Sequence, residues 1–136
     1  MFRLRVITAE KSLYEGDVEM LVLPTVTGEI GILTNHHPIV AELSLGALKI
    51  KKEDGSEQIL FVAGGFLEVN SNVATVLADT AENMDEISKD QAAEARKKAE
   101  ELLKTAKKDV DKDALLQEIR MHQMRERLAD IARYKK

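Results

Sequence analysis

Cysteine is absent from the 136-residue chain, which excludes disulfide staples and thiolate metal sites and suits a protein of the cytosol. Long apolar runs are absent too, and nothing approaches the ~18–20 residues that a membrane-spanning helix needs. The opening Met1-Phe2-Arg3-Leu4-Arg5-Val6-Ile7 has no unbroken apolar stretch and no small-residue cleavage site, so no signal peptide is expected. Histidine is scarce, with three residues, as are proline with two and glycine with seven. These few breakers are unevenly placed. All seven glycines (Gly16, Gly28, Gly31, Gly46, Gly55, Gly64, Gly65) and both prolines (Pro24, Pro38) lie within the first 65 residues.

What is present is the balance of a folded globular protein, 44% hydrophobic and 32% charged. The length fits one domain, or a small domain with an appendage. A net charge of −4 conceals an asymmetry. Residues 1–84 carry 6 Lys/Arg against 12 Asp/Glu, a net of −6; residues 85–136 carry 14 against 12, a net of +2. The acidic first part argues against nucleic acid as a partner, because phosphate recognition needs clustered positive charge. The basic C-terminal end can seek an acidic protein surface.

The glycine-bearing half reads as short strands separated by turns, the pattern of a sandwich or barrel. Phe2, Leu4 and Val6 alternate with Arg3 and Arg5, as in a half-buried strand. Val18 to Leu23 predicts another strand, stopped by Pro24. Leu45 to Ile50 leads through Glu53-Asp54-Gly55-Ser56 to Gln58 to Val62, and Asp-Gly between such runs is a strong hairpin signal. Gly64-Gly65, Phe66 to Asn70, a Ser71-Asn72 turn and Val73 to Ala78 continue the meander.

After Asp79 the period changes. Ser88 is placed to cap a helix, Gln91 completes a capping box, and Ile87 and Ala92 sit where a hydrophobic staple would join. Ala92, Ala95, Ala99, Leu102, Leu103 and Ala106 form a narrow stripe of mainly small residues. A second helix is expected from Asp111 or Asp113 to Arg133. The linker Lys107-Lys108-Asp109-Val110-Asp111 has neither Gly nor Pro, so fusion of the helices into one rod is permitted. On the second helix Leu115, Leu116, Ile119 and His122 point one way, and Met121, Met124, Leu128, Ile131 and Ala132 roughly the other. Two readings stay open: a helix sandwiched between elements of its own protein, or one that uses different faces in different states. The expected architecture is α+β, an N-terminal antiparallel β-sandwich over 1–84 followed by a C-terminal α-helical hairpin over 85–136.

Little in the chain reads as catalysis. Gly28-Glu29-Ile30-Gly31 lacks the Lys-Ser/Thr of a phosphate loop and is explained by a turn between strands. Gly64-Gly65 reads as a bulge or tight bend. His36 and His37, adjacent on a strand, would point to opposite faces, so no metal site is expected. No nucleophile elbow or His-Glu-x-x-His helix occurs, and enzyme activity is not expected. The helix dipole accounts for basic residues from Arg133 through Lys135 and Lys136, but not for Arg120, Arg125 and Arg127, which can fork onto carboxylates of another chain.

The stretch Leu23-Pro24-Thr25-Val26-Thr27-Gly28-Glu29-Ile30-Gly31-Ile32-Leu33-Thr34-Asn35-His36-His37-Pro38, with Gly64-Gly65-Phe66-Leu67-Glu68-Val69 and Val76-Leu77-Ala78-Asp79, resembles the signature segments of the ε subunit of bacterial and chloroplast F-type ATP synthases, homologous to the mitochondrial δ subunit. The resemblance runs the length of the chain. It implies about ten strands in the sandwich and a central-stalk rotor subunit, coupling proton or sodium flow to ATP synthesis, with no catalytic residues of its own. The head would dock on the γ subunit and the c-ring, with Gly28, Glu29, Ile30 and Gly31 and the loop of His36 and His37 as rotor-contact candidates. The helical arm would act as a brake, extending into the α/β hexamer to inhibit ATP hydrolysis, with Arg120, Arg125 and Arg127 meeting acidic groups there. The protein would then be peripheral to the cell membrane, on the cytoplasmic side, through the complex.

Some family members bind ATP through Ile/Leu-Asp-x-x-Arg-Ala at the start of the first helix. Here Ile87, Ala92 and the earlier Glu82 fit, but Ser88 stands for the Asp and Gln91 for the Arg. Loss of that charged pair implies that ATP binding is weak or absent, and no other cofactor is implied. A free-standing ATP-sensing module is the alternative function, and a small enzyme a third.

Overall fold

The alternation that opens the chain becomes a strand. The computed structural model describes residues 1–84, 87–106 and 109–134, the stretches 109–110 and 131–134 through their backbone. In it Phe2–Ile7 forms β1, with Phe2, Leu4 and Val6 buried and Arg3 and Arg5 exposed. The strands that follow are β2 (Ser12–Val18), β3 (Met20–Thr25), β4 (Gly28–Leu33), β5 (Ile39–Glu42), β6 (Gly46–Lys51), β7 (Glu57–Asn70) and β8 (Val73–Asn83). Two helices follow, α1 (Lys89–Thr105) and α2 (Asp109–Tyr134). The chain divides into two compact units, Met1–Asn83 and Met84–Lys136.

The strands form one sheet in the order β2-β1-β8-β7-β6-β3-β4, with β5 added against β7. The pairings are antiparallel except that of β1 with β8, which is parallel from Arg3 opposite Val73 to Ile7 opposite Leu77. The first half of β7 pairs with β6 and its second half with β5, so the strand passes from one layer to the other. Side chains from both layers, among them Leu4, Leu21, Ile32, Leu48, Leu67 and Val76, fill a shared core.

The ten expected strands are eight among the described residues. The two longest, β7 with 14 residues and β8 with 11, each serve both layers without a break. Midway along β7 lie Gly64 and Gly65, whose φ angles are +76° and +117°. A Cβ on Gly65 would lie 2.2 Å from the Leu77 carbonyl oxygen, so only glycine admits that approach.

Pro24 does not stop its strand. Val18 ends β2, and β3 runs from Met20 through Pro24, which lies opposite Glu29. The β6 ladder covers only Met20–Val22, so the missing N–H of Pro24 leaves no gap in it. The Pro24 carbonyl accepts from the Ser44 amide at 3.1 Å. The Asp-Gly hairpin forms as expected: Gly55 takes φ +85°, and its amide donates to the Lys52 carbonyl at 3.0 Å. The Ser56 hydroxyl and amide donate to Asp54 Oδ1 at 2.6 and 2.9 Å and hold that carboxyl below the ordinary aspartate range.

In the second unit Ser88 is the N-cap of α1, its hydroxyl accepting from the Gln91 amide at 3.3 Å. The helices do not fuse. Helix α1 ends at Thr105, and its cap Ala106 is extended (φ −68°, ψ 131°). Helix α2 starts at Asp109, earlier than the expected Asp111 or Asp113. It lies antiparallel to α1, as two ion pairs show: Lys89 with Asp130 at 2.7 Å and Arg96 with Glu126 at 3.0 Å. Arg96 also reaches Glu100 at 2.9 Å, and the two carboxylates hold its guanidinium above the ordinary arginine range.

Leu115, Ile119, His122, Glu126 and Ala129 recur at four- and three-residue steps and are buried or half-buried, while Leu128 is buried and Met121 and Met124 half-buried on roughly the opposite side, so both expected faces of α2 are covered toward its C-terminal half. Of the expected elements, Lys107, Lys108, Lys135 and Lys136 and the side chains of Ile131, Ala132 and Arg133 lie outside the described residues.

Two glycine substitutions separate backbone strain from steric clash. Gly55→Ala, with open space around it, should cost about 1 kcal/mol, the left-handed penalty alone. Gly65→Ala should cost about 3 kcal/mol or more, since overpacking against the Leu77 carbonyl adds to that penalty. Urea denaturation of the two variants measures the difference.

Candidate functional site

Strand β4 ends the path through the sheet and, among the described residues, pairs only with β3, so its other edge carries backbone donors and acceptors with no described strand across from them. Buried Thr25 shapes the turn that leads into it. The Thr25 hydroxyl donates to the Gly28 carbonyl at 2.6 Å and accepts from the Thr27 amide at 3.3 Å. Val26 and Thr27 form the turn itself, and Gly28 follows at φ +123°. The turn expected across Gly28-Glu29-Ile30-Gly31 lies instead just before it, at Val26 and Thr27, and all four residues belong to β4. Ile30 packs against the core while Gly28, Glu29 and Gly31 are exposed.

His36 and His37 are not on a strand. They lie in the loop between β4 and β5, after a turn at Thr34 and Asn35, where Asn35 takes φ +60°. The His36 amide donates to the Leu33 carbonyl at 3.2 Å. His36 Nδ1 lies 2.7 Å from the His37 carbonyl oxygen. A carbonyl can only accept, so Nδ1 carries the proton and donates. The two histidines thus sit at the end of the same edge that presents Glu29, the strand and loop forming one continuous border.

A second surface escaped sequence reasoning. On the outer face of β1, β8 and β7, Ile7 lies opposite Leu77 and Leu77 opposite Phe66, an apolar row running across three strands. Phe66 is 56% and Leu77 51% exposed, although each occupies the polar phase of its strand. Val40 of β5, 72% exposed, lies opposite Glu68 one row away, and Glu42 lies opposite Phe66. On the far side Arg3 and Arg5 reach Glu15 at 3.4 and 3.9 Å, exposed pairs of small energetic worth. The available signal was alternation: Gly65, Leu67 and Val69 point inward, which leaves Phe66 pointing out.

On α2 the structure separates the three arginines. Arg120 and Arg127 are exposed and seven residues apart, hence on one line two turns apart. Arg125 is half-buried, its Nη1 3.0 Å from His122 Nδ1. A guanidinium can only donate, so His122 accepts at Nδ1 and its Nε2, 3.6 Å from Glu118, carries the proton. Of the degraded ATP pattern, Ser88 and Gln91 are joined by the cap, Ala92 is fully buried, and Ile87 is half-buried. Glu82, on β8, belongs to the other unit, opposite Phe61 of β7, where it lines a cleft of about 330 Å³ with Thr8, Glu10, Lys11 and Asp79. No helix among the described residues is long and apolar enough to cross a membrane.

Comparison with known proteins gives concordant results. The family model for the ATP synthase delta/epsilon chain β-sandwich domain matches residues 1–84. An ATP synthase epsilon chain of Acinetobacter baumannii is 46% identical over 111 residues, covering 82% of this chain and 80% of the relative. One of Polaromonas naphthalenivorans is 43% identical over 106 residues, covering 78% and 77%. Among solved structures, the OSCP/F1/c-ring assembly of the Euglena gracilis mitochondrial ATP synthase contains a chain that superposes with a TM-score of 0.78 at 21% identity, over 91% of this chain and 78% of that one. A chain of the central stalk and c-ring of the Tetrahymena thermophila mitochondrial enzyme gives 0.68 at 15% identity, over 93% and 95%. At these identities the two structures speak for the fold.

Proposed function

The chain belongs to the ATP synthase delta/epsilon family, and from that premise we propose that it is a non-catalytic central-stalk subunit of the F1 sector, docking by its head on the γ subunit and the c-ring. The observation that carries the reading is the outward apolar row of Ile7, Leu77 and Phe66. A small acidic sandwich gains nothing from holding Phe66 half exposed in water unless a partner covers it. That row is the γ-docking face. The open β4 edge with Glu29 and the His36-His37 loop then faces the polar loops of the ring. In this role the protein couples proton or sodium flow to ATP synthesis and is peripheral to the cell membrane on its cytoplasmic side.

The helical arm inhibits ATP hydrolysis when it reaches the α/β hexamer. Arg120 and Arg127 are the contacts that fit this best, because they are exposed on one line, whereas Arg125 is occupied with His122. ATP binding by the arm is weak or absent. The Ser88 hydroxyl serves the helix start, and Gln91 offers no cation for a phosphate.

Phe66→Glu, which buries a charge in the proposed interface, should abolish pull-down by γ while leaving the chain folded. Undiminished capture would remove the docking face. Deleting residues 84–136 should preserve capture by γ and speed ATP hydrolysis by the reconstituted complex; an unchanged rate would remove the brake. Calorimetric titration of the isolated chain with Mg-ATP should give no saturable heat, and micromolar affinity would restore the alternative of an ATP-sensing module.

A further inference from the structure

Asn72 is the second residue of the two-residue turn between β7 and β8, at φ +63° behind Ser71 at +50°. Asparagine suits that left-handed position because its short amide tolerates it. Its side chain is nevertheless not spent on its own turn. Oδ1 accepts from the Asn35 amide at 2.8 Å, and Nδ2 donates to the Met1 carbonyl at 2.9 Å. The Asn72 backbone carbonyl accepts from the Arg3 amide at 3.1 Å. One residue therefore ties together the start of β1, the β7–β8 turn and the β4–β5 loop, across sequence separations of 71 and 37 residues.

The tether ends on a residue whose conformation needs holding. Asn35 is itself left-handed, at φ +60°, and it is followed at once by His36 and His37. Its amide is exposed, so water competes for it as soon as Oδ1 is removed. Release of that bond leaves the turn that aims both histidines held by the bond from the His36 amide to the Leu33 carbonyl, without its tether to the β7–β8 turn. We infer that Asn72 is a positioning residue for the His36-His37 loop: it presets the loop geometry that the ring meets, so that binding need not order it. The inference rests on the proposed docking of the head on the rotor.

Two variants of the full chain separate the tether from the turn. Asn72→Gly keeps the left-handed backbone at no steric cost and deletes both side-chain bonds. Asn72→Asp keeps an acceptor for the Asn35 amide but loses the donor to Met1. Amide exchange at Asn35, read by NMR, should accelerate about tenfold in the glycine variant, the worth of one hydrogen bond, with core amides such as Leu4 and Val76 unchanged. Affinity for a purified γ–c-ring subcomplex should fall by a similar factor of about ten, and the aspartate variant should recover both readouts to within about twofold. Equal affinity of the glycine variant and the native chain, or failure of aspartate to rescue, would overturn the positioning role alone. If the native chain itself does not bind the subcomplex, the docking reading falls first.

Discussion

Midway along β7, the Gly65 backbone meets the Leu77 carbonyl so closely that an added Cβ would stand 2.2 Å from the oxygen. The rest of the head follows from that approach. Because the two strands run on without ending, β6 can pair with one half of β7 and β5 with the other. The inner faces of both layers then close on a single apolar core. A side chain at position 65 would push the ladders apart at the point where they change layer.

The same geometry creates the exposed surfaces. The strand path ends at β4, whose open edge runs directly into the loop of His36 and His37. The outer phase of β7 and β8 faces solvent, where Phe66 and Leu77 meet across the ladder. The border is polar and the face apolar, so one small module presents two chemically unlike surfaces. Acidic residues rim both, with Glu29 on the border and Glu42 and Glu68 beside the face.

The arm is built on another principle. Ala92 and Ala99 let α1 approach its neighbour closely while adding little buried area. Ion pairs of Lys89 with Asp130 and of Arg96 with Glu126 set the antiparallel alignment that such small residues leave loosely specified. A pairing held by thin packing and partly exposed charge is one that a competing surface can displace at modest cost, which agrees with a regulatory arm better than with a rigid strut.

Local physics made much of this legible in the residues themselves. Alternation at Phe2, Leu4 and Val6 announces a strand because side chains leave a strand on opposite faces. Asp54-Gly55 announces a hairpin because the turn needs positive φ. Ser88 announces a helix start because its hydroxyl can satisfy a free amide. What stayed hidden depends on contacts between distant positions: that Pro24 lies inside a strand where one ladder has already ended, and that two long strands do the work of four. Only the folded chain could bring Phe66 beside Leu77, or Asn72 beside Asn35 and Met1, since no periodicity of a single segment encodes which far segment will stand next to it. Residue pattern alone thus marked the opening strand, the Asp54-Gly55 hairpin and the start of α1. The tertiary structure decided the pairings, and with them the surfaces.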